Sequence, residues 1–136
     1  MRKKTIKKNF GGGKLGLDFE PLMVWLSDSP RASEIYSCIN RAESLVIAIP
    51  IVWWFLKRFA RNKKLFLEAK KFFIEDNIFE LAPMNEESLK RSLELPITAG
   101  DISIQSYACT NTAGANSLLT YNQHLLKIQG LSVCTL

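Results

Sequence analysis

The sequence contains few of the residues that cross-link a small domain or hold a zinc ion. It has three cysteines and one histidine in 136 residues, and Cys38, Cys109 and Cys134 lie far apart along the chain. An odd number of widely spaced cysteines argues against a disulfide framework and favours free thiols in a reducing cytoplasm. His124 has no histidine or cysteine near it in sequence, which argues against a zinc site. We therefore expect buried, apolar cysteines and a cytoplasmic protein.

Long apolar runs are also missing. The longest run, Leu45 to Leu56, contains Pro50 and is much shorter than the about 20 residues that span a bilayer. It predicts a buried strand that leads into a buried helix. The cations at the N-terminus are not followed by an apolar stretch, so we expect neither a signal peptide nor a membrane partner.

Acidic residues are absent from the first thirteen positions, which hold five cations and three consecutive glycines. The net charge of the whole chain is +5, so the remaining residues are neutral overall. Consecutive glycines do not hold regular structure cheaply. We therefore predict a flexible basic tail at residues 1–13 and a single domain at 14–136, which agrees with the usual length of one domain. A composition of 47% apolar and 23% charged residues is typical of a globular protein.

Apolar segments with strand and helix patterns alternate along this domain. Strands are predicted at 14–18, 45–49, 78–81, 116–120 and 131–136. Helical segments are predicted at 20–26, 29–43, 51–61 and 63–75, from a cap at Asn85 to 95, from a cap at Thr98 to about 114, and at 123–128. This order predicts an α/β fold, a three-layer α/β/α sandwich with a mainly parallel five-stranded sheet. Ligands of such sheets bind at the carboxyl ends of the strands.

Polar residues stand at the positions that this topology brings to one edge of the sheet. Asp18 ends the first predicted strand, Asp101 lies in the first turn of a helix, and Thr120 and Asn122 end the fourth strand. Clustered carboxylates without nearby cations favour a hard cation such as Mg²⁺. Taken singly, each residue also has a structural explanation: Asp18 as a helix cap, Asp101 as an acid at a helix N-terminus, and Asn122 as a loop residue.

Two segments carry a resemblance to a known family. The opening LGLDFEPLMVWL resembles the first strand and helix of PIN-domain proteins, in which an apolar strand ends in Asp. The stretch from Ile97 to Leu136 resembles their C-terminal third, with an Asp in a helix, a small-residue helix, and a strand that ends in a Thr-x-Asn phrase. The family includes the VapC-like toxins. The resemblance implies a PIN-like fold, cleavage of RNA with Mg²⁺ or Mn²⁺, an antitoxin protein as partner, and a homodimer.

The resemblance also implies roles for individual residues. Asp18 and Asp101 match two metal-binding acids of the family, Asn122 matches a fourth position that is Asp or Asn, and Thr120 matches a hydroxyl residue that borders the site. The family has a further Glu near the start of the helix after the second strand, but the segment from Pro50 to Arg58 contains no acid. Fewer carboxylates bind a divalent metal more weakly and weaken a two-metal mechanism.

Two neighbouring residues bear on this difference. Glu20, two residues after Asp18, is a candidate replacement for the missing acid, although a position in the first turn of a helix explains it as well. Phe19 stands where the family usually has a small hydroxyl residue.

Three functions remain open at this point. The first is a metal-dependent endoribonuclease of the toxin type, which Asp18 and Asp101 favour. The second is a catalytically impaired PIN-like module that binds RNA or a protein partner, which the missing Glu favours. The third is an unrelated doubly wound domain that binds a small phosphorylated ligand, and the lack of a Gly-rich loop after the first strand counts against it.

A basic and aromatic segment follows the second strand. Residues 57–71 hold seven cations and one acid, Glu68, which fits either a solvated helix face or a surface that contacts phosphates. Trp53, Trp54, Phe55 and Phe59 are interpreted as core or dimer-surface residues rather than as a platform for stacking bases.

Overall fold

The computed structural model describes residues 13–27, 29–96 and 101–136, and for Asp101 it describes the backbone alone. The strands are β1 (Lys14–Leu17), β2 (Ser44–Ala48), β3 (Phe79–Ala82), β4 (Ser117–Leu119) and β5 (Val133–Cys134). The α-helices are α1 (Phe19–Trp25), α2 (Ala32–Ile39), α3 (Ile49–Arg58), α4 (Lys63–Lys70), α5 (Glu86–Leu93), α6 (Asp101–Thr112) and α7 (Gln123–Lys127). The predicted cap at Thr98 and the predicted tail, apart from Gly13, lie outside the described residues.

The strands form one sheet in the order β3-β2-β1-β4-β5. All pairings between the described strands are parallel, which confirms the predicted α/β fold with a five-stranded parallel sheet. β1 lies at the centre, and Leu15 is aligned with Leu45 of β2 on one side and with Ser117 of β4 on the other. The chain moves outward in one direction through β2 and β3, and in the other through β4 and β5. The strand order therefore reverses between β1 and β4, and a crevice forms at their carboxyl ends.

Residue types at the strand ends explain where the helices begin. The Asp18 side chain caps α1, and Pro21 lies in the first turn of that helix, where no amide hydrogen is needed. Pro50 likewise lies in the first turn of α3. This helix begins at Ile49, directly after β2, with no loop between them. Asn62 caps α4 and separates it from α3. The break between two helices that the sequence predicted near this residue is confirmed.

The core is formed by the central strands and the helices that cover them. Leu15, Leu17, Val46 and Ile47 are fully buried, as expected of strands that are covered on both faces. Ile51 and Phe55 of α3 complete this cluster. A group of aromatic rings extends it towards β3, with Trp25, Phe72, Phe73 and Phe79 in mutual contact.

Gly16 allows α6 to approach the centre of the sheet closely. A Cβ atom at this position would lie 2.9 Å from both Cβ and Oγ1 of Thr110. That distance is shorter than van der Waals contact, and Thr110 is itself buried. A glycine in the interior of a strand here marks a close helix–strand contact.

Apolar side chains of α3 and α4 are not all buried. Leu65 and Leu67 are 42% and 51% exposed, and α4 has no buried residue along its described length. Trp53 was expected in the core or in a dimer surface. It is 60% exposed in the single chain, so it is not a core residue, and its place in a dimer surface stays a prediction. Phe55 is buried, as predicted.

Cys38, Cys109 and Cys134 are free and buried, which confirms the prediction of apolar thiols. Burial raises the pKa of each thiol, and raises that of Cys134 to about 11. Among the described helices, no segment is long and apolar enough to cross a membrane.

Candidate active site

Asp18 is a buried carboxylate at the carboxyl end of β1. Asp18 is only 2% exposed, and its backbone amide donates to the carbonyl oxygen of Leu119 at 3.0 Å. The amide of Phe19 donates to Oδ1 of Asp18 at 2.7 Å. The expected capping role is therefore present. A cap is usually solvated, however, and a carboxylate buried this deeply requires further hydrogen-bond donors.

Two hydroxyl groups supply those donors. Ser103 Oγ donates to Asp18 Oδ2 at 2.7 Å, and Thr120 Oγ1 donates to the same oxygen at 2.6 Å. Thr120 is fully buried and directly follows β4, the strand next to β1. Asp18 and Thr120 therefore meet where the strand order reverses, the position at which doubly wound proteins bind their ligands.

The N-terminus of α6 contributes the third side of the pocket. Ser103 lies in the first turn of this helix, two residues after Asp101, at which the helix begins. The backbone thus brings the helix turn that contains Asp101 to Asp18, although the Asp101 side chain lies outside the described residues. Sequence reasoning missed Ser103. Two facts could have indicated it. A carboxylate buried at Asp18 needs hydrogen-bond donors, and Ser103 lies within one helical turn of Asp101, a predicted site residue.

Asn122 is held beside the pocket by backbone hydrogen bonds. Its amide donates to Thr120 Oγ1 at 3.0 Å, so Thr120 Oγ1 links Asn122 to Asp18. Its side-chain oxygen accepts from the amides of His124 and Leu125 and caps α7. Asn122 thus lies in the connection between β4 and α7, as the loop-residue alternative expected, and its role in the site stays a prediction.

Tyr121 and Arg31 lie next to these residues. The Arg31 guanidinium carbon is 4.6 Å from the centre of the Tyr121 ring. Burial raises the pKa of the Tyr121 phenol, and the Arg31 charge partly opposes that rise. The phenol oxygen is buried and has no hydrogen-bond partner among the described residues. Arg31 thus places a positive charge on the ring of the residue between Thr120 and Asn122 in the sequence.

The acids near the pocket are few. The first turn of α3, where the family has a Glu, holds no acid, and Leu56 of that helix packs against the core. Glu20 is exposed on α1. Within the described ranges, no group of three or more His, Cys, Asp or Glu side chains could hold a metal ion.

Asp18 retains room for one further interaction. A carboxylate has about four acceptor positions, and the described donors to Asp18 use two on Oδ2 and one on Oδ1. One position on Oδ1 is therefore left by the described hydrogen bonds, and a Mg²⁺ ion, which is often bound by one or two carboxylates and several waters, needs no more than this from one carboxylate. The described residues do not provide the carboxylates of a two-ion site.

Comparison with known proteins agrees with this geometry at the level of the fold. No protein-family model matches the chain, and no curated protein does. One chain in the crystal structure of VapBC2 from Rickettsia felis, bound to a DNA fragment from their promoter, superposes with a TM-score of 0.68. The fold is PIN-like. The match covers 90% of this chain and 98% of that one, but the sequences are only 11% identical. The comparison therefore shows a shared fold and nothing further.

Proposed function

We propose that this PIN-like chain is a divalent-metal-dependent endoribonuclease of the toxin type. The observation that carries the proposal is the position of Asp18, a buried carboxylate at the reversal of strand order with hydroxyl donors from two distant segments. A buried charge is costly, and capping a short helix does not by itself require a carboxylate to be buried. The PIN-like fold and the motif resemblance support the same reading.

Asp18 and Asp101 would hold the cation, as Mg²⁺ or Mn²⁺. The chemistry that a bound ion of this kind supplies is polarisation of the RNA phosphodiester and a lower pKa of the attacking water. Ser103 and Thr120 fix the orientation of the Asp18 carboxylate through Oδ2, and Oδ1 keeps one acceptor position besides the one that the Phe19 amide uses. Thr120 and Asn122 would orient the phosphate or the water by hydrogen bonding.

The test is cleavage of single-stranded RNA with Mg²⁺ or Mn²⁺, with EDTA, and with Asp18→Asn. We expect cleavage that EDTA abolishes and that Asp18→Asn reduces by at least about 100-fold, since the variant loses the anionic ligand. Asp76→Asn is the matched control, because it makes the same chemical change at a carboxylate that pairs with Lys71 on the surface. Cleavage that persists in EDTA and in Asp18→Asn would refute the proposal.

A second function is a PIN-like module that binds RNA or a protein without cleaving RNA. The absence of an acid in the first turn of α3 favours it. This alternative predicts no cleavage by the wild-type chain under any of these conditions, together with weak Mn²⁺ binding by calorimetry that Asp18→Asn removes.

The proposed partners are an antitoxin protein and a second copy of the chain. Helices α1 and α2 expose Met23, Leu26 and Tyr36, which are 40%, 46% and 55% exposed and offer apolar surface for such a contact. Light scattering coupled to size-exclusion chromatography would show a dimer of wild-type chain that Tyr36→Asp weakens.

A further inference from the structure

Helix α3 carries a groove lined by two aromatic rings and two cations. Trp53, Trp54, Lys57 and Arg58 enclose about 340 Å³ on the surface. The Lys57 ammonium lies 4.8 Å from the centre of the Trp53 ring, and the Arg58 guanidinium lies 4.6 Å from that of Trp54. Each cation thus rests on the ring that stands four residues before it in the helix. The outer ring, Trp53, is 60% exposed.

The charges around this groove lack acidic neighbours. No Asp or Glu stands between Glu43 and Glu68 in the sequence. The cations at the end of α3 and the start of α4 form no ion pair with any described residue; these are Lys57, Arg58, Arg61, Lys63 and Lys64. By contrast, Lys70 and Lys71 pair with Glu75 and Asp76. The positive charge beside the groove is therefore left available to a polyanion.

Phe19 connects the groove to the Asp18 site through packing. Phe19, the residue after Asp18, contacts Trp54 edge to face with ring centres 4.3 Å apart, and also contacts Phe55. Phe19 itself is half-buried. One packed aromatic residue thus lies between a ring of the groove and Asp18. This residue stands where the family usually has a small hydroxyl residue.

We infer that this groove is a subsite for single-stranded RNA, in which a base stacks on Trp53 and the flanking phosphates contact Lys57 and Arg58. The inference rests on the proposed ribonuclease function, because it places a substrate segment beside the Asp18 pocket. Aromatic rings that accept any base, interleaved with cations that follow the backbone, are the usual means of binding single strands. The unpaired cations favour a polyanion over an apolar protein surface.

Binding is measured in EDTA, so that cleavage does not interfere, by fluorescence anisotropy with a labelled single-stranded RNA of about ten nucleotides. We expect Trp53→Ala to weaken binding at least about fivefold and Trp53→Phe to restore most of it, because phenylalanine still stacks. Leu93→Ala is the control, since it removes another exposed apolar side chain, on α5, and should leave affinity within about twofold.

The cations are tested by the dependence of affinity on salt. Each phosphate contact on a single strand contributes about 0.7 to the slope of log K against log salt concentration, so Lys57→Ala/Arg58→Ala should lower that slope by about 1.4. Lys70→Ala/Lys71→Ala removes the same charge from residues that are already paired, and should lower it less. Equal effects of the two double variants, or unchanged affinity in Trp53→Ala, would overturn the inference.

Two outcomes separate this inference from the proposed function. If Asp18→Asn abolishes cleavage while the groove variants bind and cleave as wild type does, the subsite is wrong and the ribonuclease proposal stands. An acidic peptide serves as a competitor for the labelled RNA. If it displaces the RNA from the wild-type chain at lower concentrations than unlabelled RNA does, and does not displace it from Trp53→Ala, the groove is a protein site and the inference fails.

Discussion

Replacing one hydroxyl group of the pocket should weaken folding, whereas replacing its neighbour one turn away should not. Ser103 and Ser106 are buried in the same helix, α6. The hydroxyl of Ser103 donates to the Asp18 carboxylate, and the hydroxyl of Ser106 has no partner among the described residues. Ser103→Ala and Ser106→Ala are therefore matched in residue type, burial and helix, and differ in the hydrogen bond.

The size of the difference follows from that hydrogen bond. A bond to a charged group contributes about 1.5–3 kcal/mol, and alanine gains roughly 0.5 kcal/mol of helix propensity over serine. Ser103→Ala should thus destabilise the fold by about 1–2.5 kcal/mol. Ser106→Ala gains the same propensity and removes an unpaired buried hydroxyl, so it should be neutral or stabilising by about 1 kcal/mol.

Guanidinium unfolding in EDTA, followed by circular dichroism, measures both values. A double-mutant cycle with Asp18→Asn then isolates the contact, because Ser103→Ala should cost much less once the carboxylate is gone. The reasoning is refuted if Ser103→Ala and Ser106→Ala change stability equally. It is also refuted if Ser103→Ala and Asp18→Asn are additive within about 0.5 kcal/mol.

Further perturbations test other contacts. Thr120→Val removes a donor to the carboxylate and an acceptor of the Asn122 amide, and should lower stability by about 2–4 kcal/mol in the same unfolding assay. Thr112→Val is the control. The Thr112 hydroxyl has no partner among the described residues, so this change should lower stability by less than about 0.5 kcal/mol. Gly16→Ala should lower stability by about 1–3 kcal/mol through the clash with α6, and a neutral effect would contradict the close approach. The pKa of Cys134 is raised to about 11, so stability contributed by its neutral thiol is present below pH about 8.5 and is lost as pH rises towards 11; Cys134→Ala should flatten this alkaline decline, and an unchanged pH profile would exclude it.

The sequence predicted the sheet well because its strands are short, continuously apolar and bounded by polar or helix-starting residues. Asp18 and Pro50 both mark such boundaries: α1 begins directly after Asp18, and α3 begins directly after β2 with Pro50 in its first turn. The helix ends were less accurate. α2 was expected over 29–43 and spans Ala32–Ile39, because turn residues flank it on both sides.

The sequence did not reveal which side of each helix is covered by the rest of the protein. Leu65 and Leu67 have an apolar character that suggests burial, but periodicity within one helix does not reveal whether any partner packs against it. Trp53 belongs to an apolar run whose next members, Trp54 and Phe55, are half-buried and buried. Even an entirely apolar helical turn has one side that faces solvent, and the sequence did not show that Trp53 lies on that side.

The candidate site was predictable in part. Strand order brings Asp18 and Thr120 together, and parallel topology alone predicts that they share an edge. Ser103 was not predictable in the same way, since its contact depends on the rotation of α6 about its axis. The role of Asp101 stays a prediction, because the structure describes only its backbone.

The three groups that donate to the Asp18 oxygens belong to residues 19, 103 and 120. During synthesis, residue 18 therefore leaves the ribosome long before residues 103 and 120 exist to solvate its charge. A nascent chain that stops before β4 cannot contain the assembled site, because β1 then has no neighbour on one side. Any harmful activity of the kind proposed above would thus begin only after residue 120 has been translated.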